Sequence, residues 1–419
     1  MGEAQIAGRS VRLPAGEGPA LSALRGLAFA STAFGIAVLA VVGSAKANGT
    51  DLSGKIGGEG RVFPNNARYP EQSNSEVYSV YVQPELRYDA RLGRLTMVGF
   101  YRHDSVDEER THFDIRELNW RYFADRWDVL AGVGKVFWGV TESRHLVDII
   151  NQTDLVEDID EESKLGQPMV RFNWLADWGS VTAFVLPGFR ERTFPGPEGR
   201  LRPALPVSND EAIYESSDEE SHVDWALRYT HVIGNWDVGA HYFSGTGREP
   251  RLLPDASGEE LIPHYDLIEQ VGIDAQLTSG PWLWKFEGIR RHGQGDTFGA
   301  AVGGFEYTFY QIGGSSADLG VVGELLYDDR GERAPPTLKD RDVFVGLRLA
   351  LNGINNTEAL LGGMYDEEKG QQILRLEAER RLSQHWSIEL EGWHFKESPR
   401  EPLDFNQDDY VRLQLIRYL

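Results

Sequence analysis

Beyond residue 50 no long stretch of the chain repeats with helical periodicity, whereas apolar and polar positions alternate with a period of two to the last residue. Val343, Val345, Leu347, Leu349 and Leu351 interleave with Phe344, Gly346, Arg348 and Ala350. Val271, Ile273, Ala275 and Leu277 interleave with Gln270, Gly272, Asp274 and Gln276. Leu374, Leu376, Ala378 and Leu382 alternate with Arg375, Glu377, Glu379 and Arg381, with Arg380 interrupting the apolar face. Each segment reads as a β-strand with one apolar and one charged face.

Connections between these segments alternate in length. Short ones fall at residues 90–93, 124–126, 176–177, 234–235, 279–281, 313–316, 353–356 and 383–384. Longer polar ones fall near 63–74, 104–110, 139–166, 193–220, 246–264, 291–297, 328–340, 366–370 and 396–408. This predicts about 18 strands, the first near residues 53–62, with both termini on the short-turn side. The expected architecture is all-β: a transmembrane antiparallel β-barrel with short periplasmic turns and long, acidic outer loops. Roughly 20 residues are available per strand and connection, against the ~9–11 that cross a bilayer.

Tryptophan placement points the same way. Trp127, Trp178, Trp236, Trp282 and Trp386 each stand one or two residues after a short turn, which predicts an aromatic girdle at one membrane interface. The last segment, Tyr410 to Leu419, is itself a strand with Val411, Leu413, Leu415 and Leu419 on one parity and Arg417 interrupting it. It resembles the terminal-strand signal read by the outer-membrane assembly machinery, with leucine at the end where phenylalanine is usual. At the other end, Leu27 to Val42 is an apolar run preceded by Arg9, Arg12 and Arg25 and followed by Ala45-Lys46-Ala47. That order predicts a signal peptide over residues 1–47, cleaved after Ala47, and a barrel over 48–419; a single membrane anchor is the alternative. Only a short segment then precedes the first strand, which leaves no room for a plug domain.

Composition narrows the function. Asp and Glu number 65 against 42 Lys and Arg, a net charge of -23, so a nucleic-acid partner is not expected. With no cysteine there is neither a disulfide scaffold nor a thiolate site. An 18-strand closure is too wide for side chains to fill, so an aqueous lumen is the default. The polar parity assigns its lining to Glu85, Arg87, Asp114, Arg116, Asp224, Arg228, Asp274, Lys285, Glu287, Arg348, Arg375, Glu377, Glu379, Arg381, Glu389, Glu391 and Arg412. Facing ladders of opposite sign would set a transverse field across the pore; equally, these charges would simply pair with one another. Inward parity near residues 93–103 and 127–138 is ambiguous.

The segment Gly139 to Gly166 is the main functional candidate. Leu146, Val147, Ile149 and Ile150 stand beside Asp148, Asn151 and Asp154, with Leu146, Ile149 and Ile150 at helical spacing, ahead of the acidic run Glu157 to Glu162. An apolar stripe in a loop needs a surface to pack on, and the barrel wall supplies one. The expectation is an inward constriction. Its eight acids against Arg144 and Lys164 would favour cations or reject anions. The alternative is an outward lid whose acids bind divalent ions bridging lipopolysaccharide.

Here the chain also resembles known proteins. Asp114-Ile-Arg-Glu117, Gly134-Lys135, Trp138-Gly139 and Asp148-Ile-Ile-Asn151-Gln-Thr-Asp154 are similar to a pattern in porin-like outer-membrane barrels, among them uncharacterised families and relatives of the alginate-export barrels. The likeness covers residues 112–168 and implies a bacterial outer-membrane channel with an 18-strand-like barrel. It implies that Arg116, Glu117 and Lys135 face the lumen and that Trp138-Gly139 opens the constriction loop. Proline often follows the asparagine in that pattern; here Gln152 does.

No G-x-S-x-G elbow, H-E-x-x-H pair or P-loop occurs. His103, His145 and His264 lie at expected loop ends and read as rim residues, and Asp218-Glu219-Glu220 and Asp328-Asp329 read as solvated loops with weak divalent binding. The chain is therefore expected to be a non-enzymatic passive channel for small hydrophilic solutes, without cofactor or metal, embedded among outer-membrane lipid and lipopolysaccharide. A polymer or lipid export barrel with a periplasmic partner, and an outer-membrane hydrolase, are the competing classes.

Overall fold

The computed structural model describes residues 49–74, 76–396 and 403–419. The expected signal peptide lies outside the described residues. Twenty-one strands occur among those described. The first half of the barrel comprises β1 (Thr50–Val62), β2 (Val77–Ala90), β3 (Gly93–Asp104), β4 (His112–Phe123), β5 (Trp127–Gly134), β6 (Gln167–Ala176), β7 (Gly179–Pro187), β9 (Val223–Ile233) and β10 (Trp236–Thr246). The second comprises β13 (Leu267–Ser279), β14 (Trp282–His292), β15 (Phe298–Phe309), β16 (Asp318–Asp328), β17 (Asp342–Ala350), β18 (Glu358–Asp366), β19 (Gln372–Ser383), β20 (Trp386–Lys396) and β21 (Tyr410–Tyr418). Three short strands within long loops, β8 (Ile213–Tyr214), β11 (Arg251–Pro254) and β12 (Leu261–Tyr265), form a separate small sheet.

Each barrel strand pairs antiparallel with the next, and β21 returns to β1 through Lys55↔Tyr418 to Val62↔Val411. The sheet is therefore an 18-strand closed barrel with no free edge. Closure is what allows a sheet to sit in hydrocarbon, because every backbone donor and acceptor of the wall is then satisfied by the wall itself. All eight short turns and nine long connections fall where the alternation of lengths places them.

Burial follows the period of two. Outward positions such as Phe113, Ile115, Trp225, Ile273, Trp284, Leu347, Leu376 and Leu413 are exposed, as a lipid-facing belt requires. Trp127, Trp236, Trp282 and Trp386 open β5, β10, β14 and β20, and Trp178 sits in the turn before β7; all five are exposed. Arg417, which breaks the apolar parity of β21, lies over the Trp386 ring at 5.7 Å, so its charge sits at the belt's edge rather than within it. Inward parity is polar: Glu59, Arg61, Ser79, Arg102, Asp114, Asp224, Asp274, Glu287 and Glu391 are buried on the inner side.

One irregularity matters for the interior. Val98 pairs with Glu117 and Gly99 with Ile115, so Arg116 is the extra residue of a β-bulge. Two consecutive residues cannot face the same side of a regular strand, but a bulge permits it. Arg116 and Glu117 both turn inward, while Ile115 and Leu118 remain exposed outside.

Candidate functional site

The connection between β5 and β6 runs from Lys135 to Gly166, four residues longer at its start than the sequence motif suggests. It meets inward-facing side chains on two separated arcs of the wall. Its first half lies against an apolar inner surface: Trp138, Leu146, Val147, Ile149 and Ile150 cluster with Phe184, Phe243, Ile268, Ile289, Val322 and Phe344. Ile150 and Val147 are wholly buried. Despite their helical spacing these residues form no helix, and the backbone amides of this stretch are bonded to the wall. Glu287 accepts from Val140 N (2.7 Å), Thr141 N (3.0 Å), Thr141 Oγ1 (2.8 Å) and Val147 N (3.2 Å). Glu324 accepts from Glu142 N (2.8 Å), Ser143 N (2.8 Å) and Ser143 Oγ (2.6 Å). Buried amides must find acceptors, and two buried carboxylates supply seven acceptor contacts.

Gly139 makes that approach possible. Its φ is +154°, and a Cβ there would stand 2.8 Å from His145 Nδ1 and 3.2 Å from Glu287 Oε1. Trp138, expected at the opening of the constriction loop, is buried against Phe184 and His241, with the Arg228 guanidinium 4.8 Å above its ring. Asn151 ties the base of the loop: its amide donates to the Gly134 and Leu165 carbonyls, and its carbonyl accepts from Val136 N. Asp148 accepts from Trp138 N and pairs with Lys164 at 3.2 Å. Burial pushes its carboxyl up, partly offset by Lys164.

The second half is held by charge. Arg102 on β3 forks onto Glu157 (2.8 and 2.7 Å), Arg116 pairs with Asp154 (2.7 Å), Arg412 with Asp158 (2.6 Å) and Arg375 with Asp160 (2.8 Å). Arg61 and Arg110 add bonds to the carbonyls of Glu157 and Val156. Burial alone would raise the Glu157 carboxyl, but Arg102, Arg110 and Arg116 overcome it and hold it at about 2. The remaining acids are also paired: Glu142 with Arg348 (2.5 Å), Glu161 with Lys339 (3.7 Å) and Glu162 with Arg375 (3.8 Å).

All eight acids of the loop therefore have a cationic partner, and most of those partners are wall arginines. This corrects the expectation of an acidic, cation-favouring loop: a count along the loop leaves out the wall that faces it. Asp328 is corrected likewise. It is not a solvated loop acid but a buried partner of Arg144 (2.9 Å) and Arg330 (2.8 Å). His145 is no rim residue either; it lies within the loop, edge-on to Phe137 at 4.8 Å. His112 approaches Glu157 (3.6 Å) and Asp154 (3.9 Å), but both carboxylates are already committed to arginines, a poor donor set for a cation.

Of the other sequence-assigned lumen residues, Arg348, Arg375 and Arg412 contact the loop as above. Arg375 and Arg412 also pair with Glu377 and Glu391 on the wall. Glu379 and Glu389 face one another across β19 and β20. Arg381 shares their parity, and Lys135 is exposed at the end of β5. On the opposite arc by strand count, Arg121 and Arg171 share Asp128, and Arg228 pairs with Asp274. Arg102, Arg61, Glu59 and Glu324 escaped the sequence reading. For Arg102 the ambiguous parity of β3 was the obstacle, and Glu324 follows from the clean alternation of β16.

Beside the loop lies a cavity lined by Arg144, Arg192, Arg248, Glu249, Arg291 and Arg330, by the loop's own Glu142, Asp148, Asp160, Glu161 and Glu162, and by an apolar wall of Ile289, Phe344, Leu360 and Met364.

No protein-family model matches the chain, and no curated protein matches it by sequence. Solved structures do match its fold. OccAB3 of Acinetobacter baumannii is 6% identical at a TM-score of 0.51, covering 88% of this chain and 99% of that one. OccK5 (OpdH) of Pseudomonas aeruginosa is 11% identical at 0.50, covering 88% and 98%. Wzi of Escherichia coli, described as a carbohydrate-binding β-barrel involved in group 1 capsule assembly, is 9% identical at 0.51, covering 87% and 84%. The fold is that of porin-like bacterial outer-membrane barrels, and the exposed apolar belt gives this chain the same membrane setting.

Proposed function

We propose that the protein is a passive outer-membrane channel for small hydrophilic solutes, narrowed by the Lys135–Gly166 loop. The observation that carries this reading is a polar inner face in an 18-strand closure, with one long loop held against two separated arcs of that face. A sheet of this circumference encloses water unless something fills it. The loop occupies part of that width, and its charges are neutralised by the wall. What a solute would meet is the residual lining: Arg121, Arg171 and Arg228 paired with Asp128 and Asp274 on one arc, and the mainly acidic Glu377, Glu379 and Glu389 on the other. Solutes that exchange hydration for such contacts pass; large or apolar ones do not.

The test is a planar-bilayer recording of the purified protein. Stepwise ohmic currents are expected, and loosening the loop with Glu287→Ala should enlarge each step. A membrane that stays sealed after verified insertion would overturn the reading, and turnover of lipid or peptide by the same preparation would favour the hydrolase class.

A further inference from the structure

The connection between β7 and β9, residues 188–222, reaches across the outer mouth of the barrel. It springs from the seventh and eighth of the eighteen barrel strands, yet its residues 193–206 dock on the connections that follow the first and the seventeenth, the latter almost opposite by strand count. Ser73 N donates to the Glu198 carbonyl (3.1 Å) and Gln72 Nε2 to that of Gly199 (3.2 Å). Arg200 goes furthest. It donates through Nε to Asp408 (2.6 Å) and through Nη2 to the Gln407 carbonyl (2.6 Å), with its guanidinium 4.5 Å over the Phe63 ring. The Arg200 and Asp408 side chains are only 2% and 1% exposed. Beside them Leu201 enters a cluster with Ile373, Phe395, Phe405 and Tyr410, against which Ile159 of the inward loop also packs. Thr193 Oγ1 donates to Asp154 (2.7 Å), so this segment roofs the second half of that loop.

Two features separate this roof from the loop beneath it. The inward loop is fastened to barrel strands, whereas Phe63, Gln72, Ser73, Gln407 and Asp408 all stand on other connections, outside the strands. Groups parted at the mouth regain water, so release there costs less than parting a charge pair inside the wall. The second feature is strain. Leu201 has a φ of +62°, a left-handed conformation that a leucine keeps only when its surroundings impose it, here its apolar seat and the anchored Arg200 beside it. Leaving the seat would relax it. Pro195, Pro197, Pro203 and Pro206 stiffen the segment, which favours movement as one body.

We propose that residues 193–206 form a gate: a strap shut over the outer mouth in this structure, latched by Arg200 on Asp408, which lifts before a solute enters. This rests on the channel reading and adds a closed state to it. The latch sets the balance between the two states, so weakening it raises the open population.

The experiment uses the full-length protein, whose lack of cysteine makes introduced thiols unambiguous. Ser73→Cys with Glu198→Cys, joined by a reversible bifunctional thiosulfonate, pins the strap, with the singly substituted proteins as reference. Pinning should abolish the current steps in planar bilayers, and dithiothreitol should restore them. Lifting is read separately from Val156→Cys, a position 3% exposed that lines a small cavity with Pro195, Arg200 and Leu201, through its rate of modification by a bulky charged thiol reagent. Arg200→Gln should speed that modification about tenfold. Asp408→Asn should do the same, and the double variant no more than either, because each removes one shared latch. A pinned protein that conducts like its references, labelling rates unchanged in Arg200→Gln, or additive effects of the two latch variants would overturn the proposal. Faster labelling in a protein that never conducts supports the moving strap and removes the channel reading; conduction with neither effect refutes the strap alone.

Discussion

The two halves of the Lys135–Gly166 loop are fastened to the same barrel by opposite chemistry. In the first half the wall supplies the carboxylates, Glu287 and Glu324, and the loop supplies backbone amides around an apolar cluster. In the second half the loop supplies the carboxylates and the wall supplies arginines. The first arrangement depends chiefly on backbone shape, with Gly139 and the apolar cluster as its side-chain requirements, since an amide is present whatever the residue. The second depends on the identity of each acid and each arginine. The halves should therefore fail differently.

The largest effect is expected from Glu287→Ala. It leaves the donors of Val140, Thr141 and Val147 without their acceptor in a buried site, and should cost roughly 3–5 kcal/mol. Thermal unfolding in detergent should show the loss, with the larger current steps described above. Equal stability would mean that the amides find other acceptors and that the apolar cluster alone holds this half.

Arg102→Ala tests the other half. It frees Glu157 from its fork and removes one of three arginines around Glu59. Because Arg61 and Arg110 remain beside Glu59, the expected cost is smaller, about 2–3 kcal/mol. Glu157→Gln in the same background should recover part of it, since the uncompensated charge is then gone. No recovery would show that packing, not charge, fastens this half.

The difference between the halves also explains what could be read from the sequence. The barrel was legible because a period of two, short turns and tryptophans at one phase repeat over the whole chain, so no single strand has to be read correctly. Leu146, Ile149 and Ile150 were legible as a buried stripe, since apolar residues in a long loop need a partner surface. The wall acceptors of the neighbouring amides, Glu287 and Glu324, were not legible, since they lie far away in sequence. The pairing of the loop's acids was legible only in part: Arg116, Arg348, Arg375 and Arg412 were assigned to the lumen, but not to those acids. Arg102, Arg116, Arg375 and Arg412 come from four strands, and only closure of the barrel brings them to the acids. Arg116 and Glu117 could be assigned to the lumen together only through resemblance, because alternation alone forbids it without a bulge.

Acid separates the second half further. Glu157 has its pKa lowered to about 2, so the stability it contributes is complete above the ordinary glutamate range and is lost only as pH falls through about 2. Asp160 has the opposite sign. Burial and the neighbouring Asp158 carboxylate push it up to about 7, so the folded state holds its proton more tightly and stability falls as pH rises from about 4 to 7. Asp158 and Arg375 share in this titration, so the change over that window belongs to the three groups together. Asp160→Asn should flatten the slope of thermal stability between pH 4 and 7. A slope that persists would assign it to other groups.

The smallest effect isolates the apolar contribution of the first half. Ile149 is 2% exposed within the cluster that includes Ile289 and Phe344, and it carries no charge. Ile149→Val removes one methylene from that cluster and should cost about 1 kcal/mol. Because hydrophobic burial is insensitive to proton uptake, the loss should be the same at pH 4 and pH 7, whereas any variant acting through Asp160 changes across that range. Measured with Asp160→Asn, the two effects should add, as expected for halves fastened independently. A clear departure from additivity would mean that the loop moves as one body and that its two fastenings are a single cooperative unit.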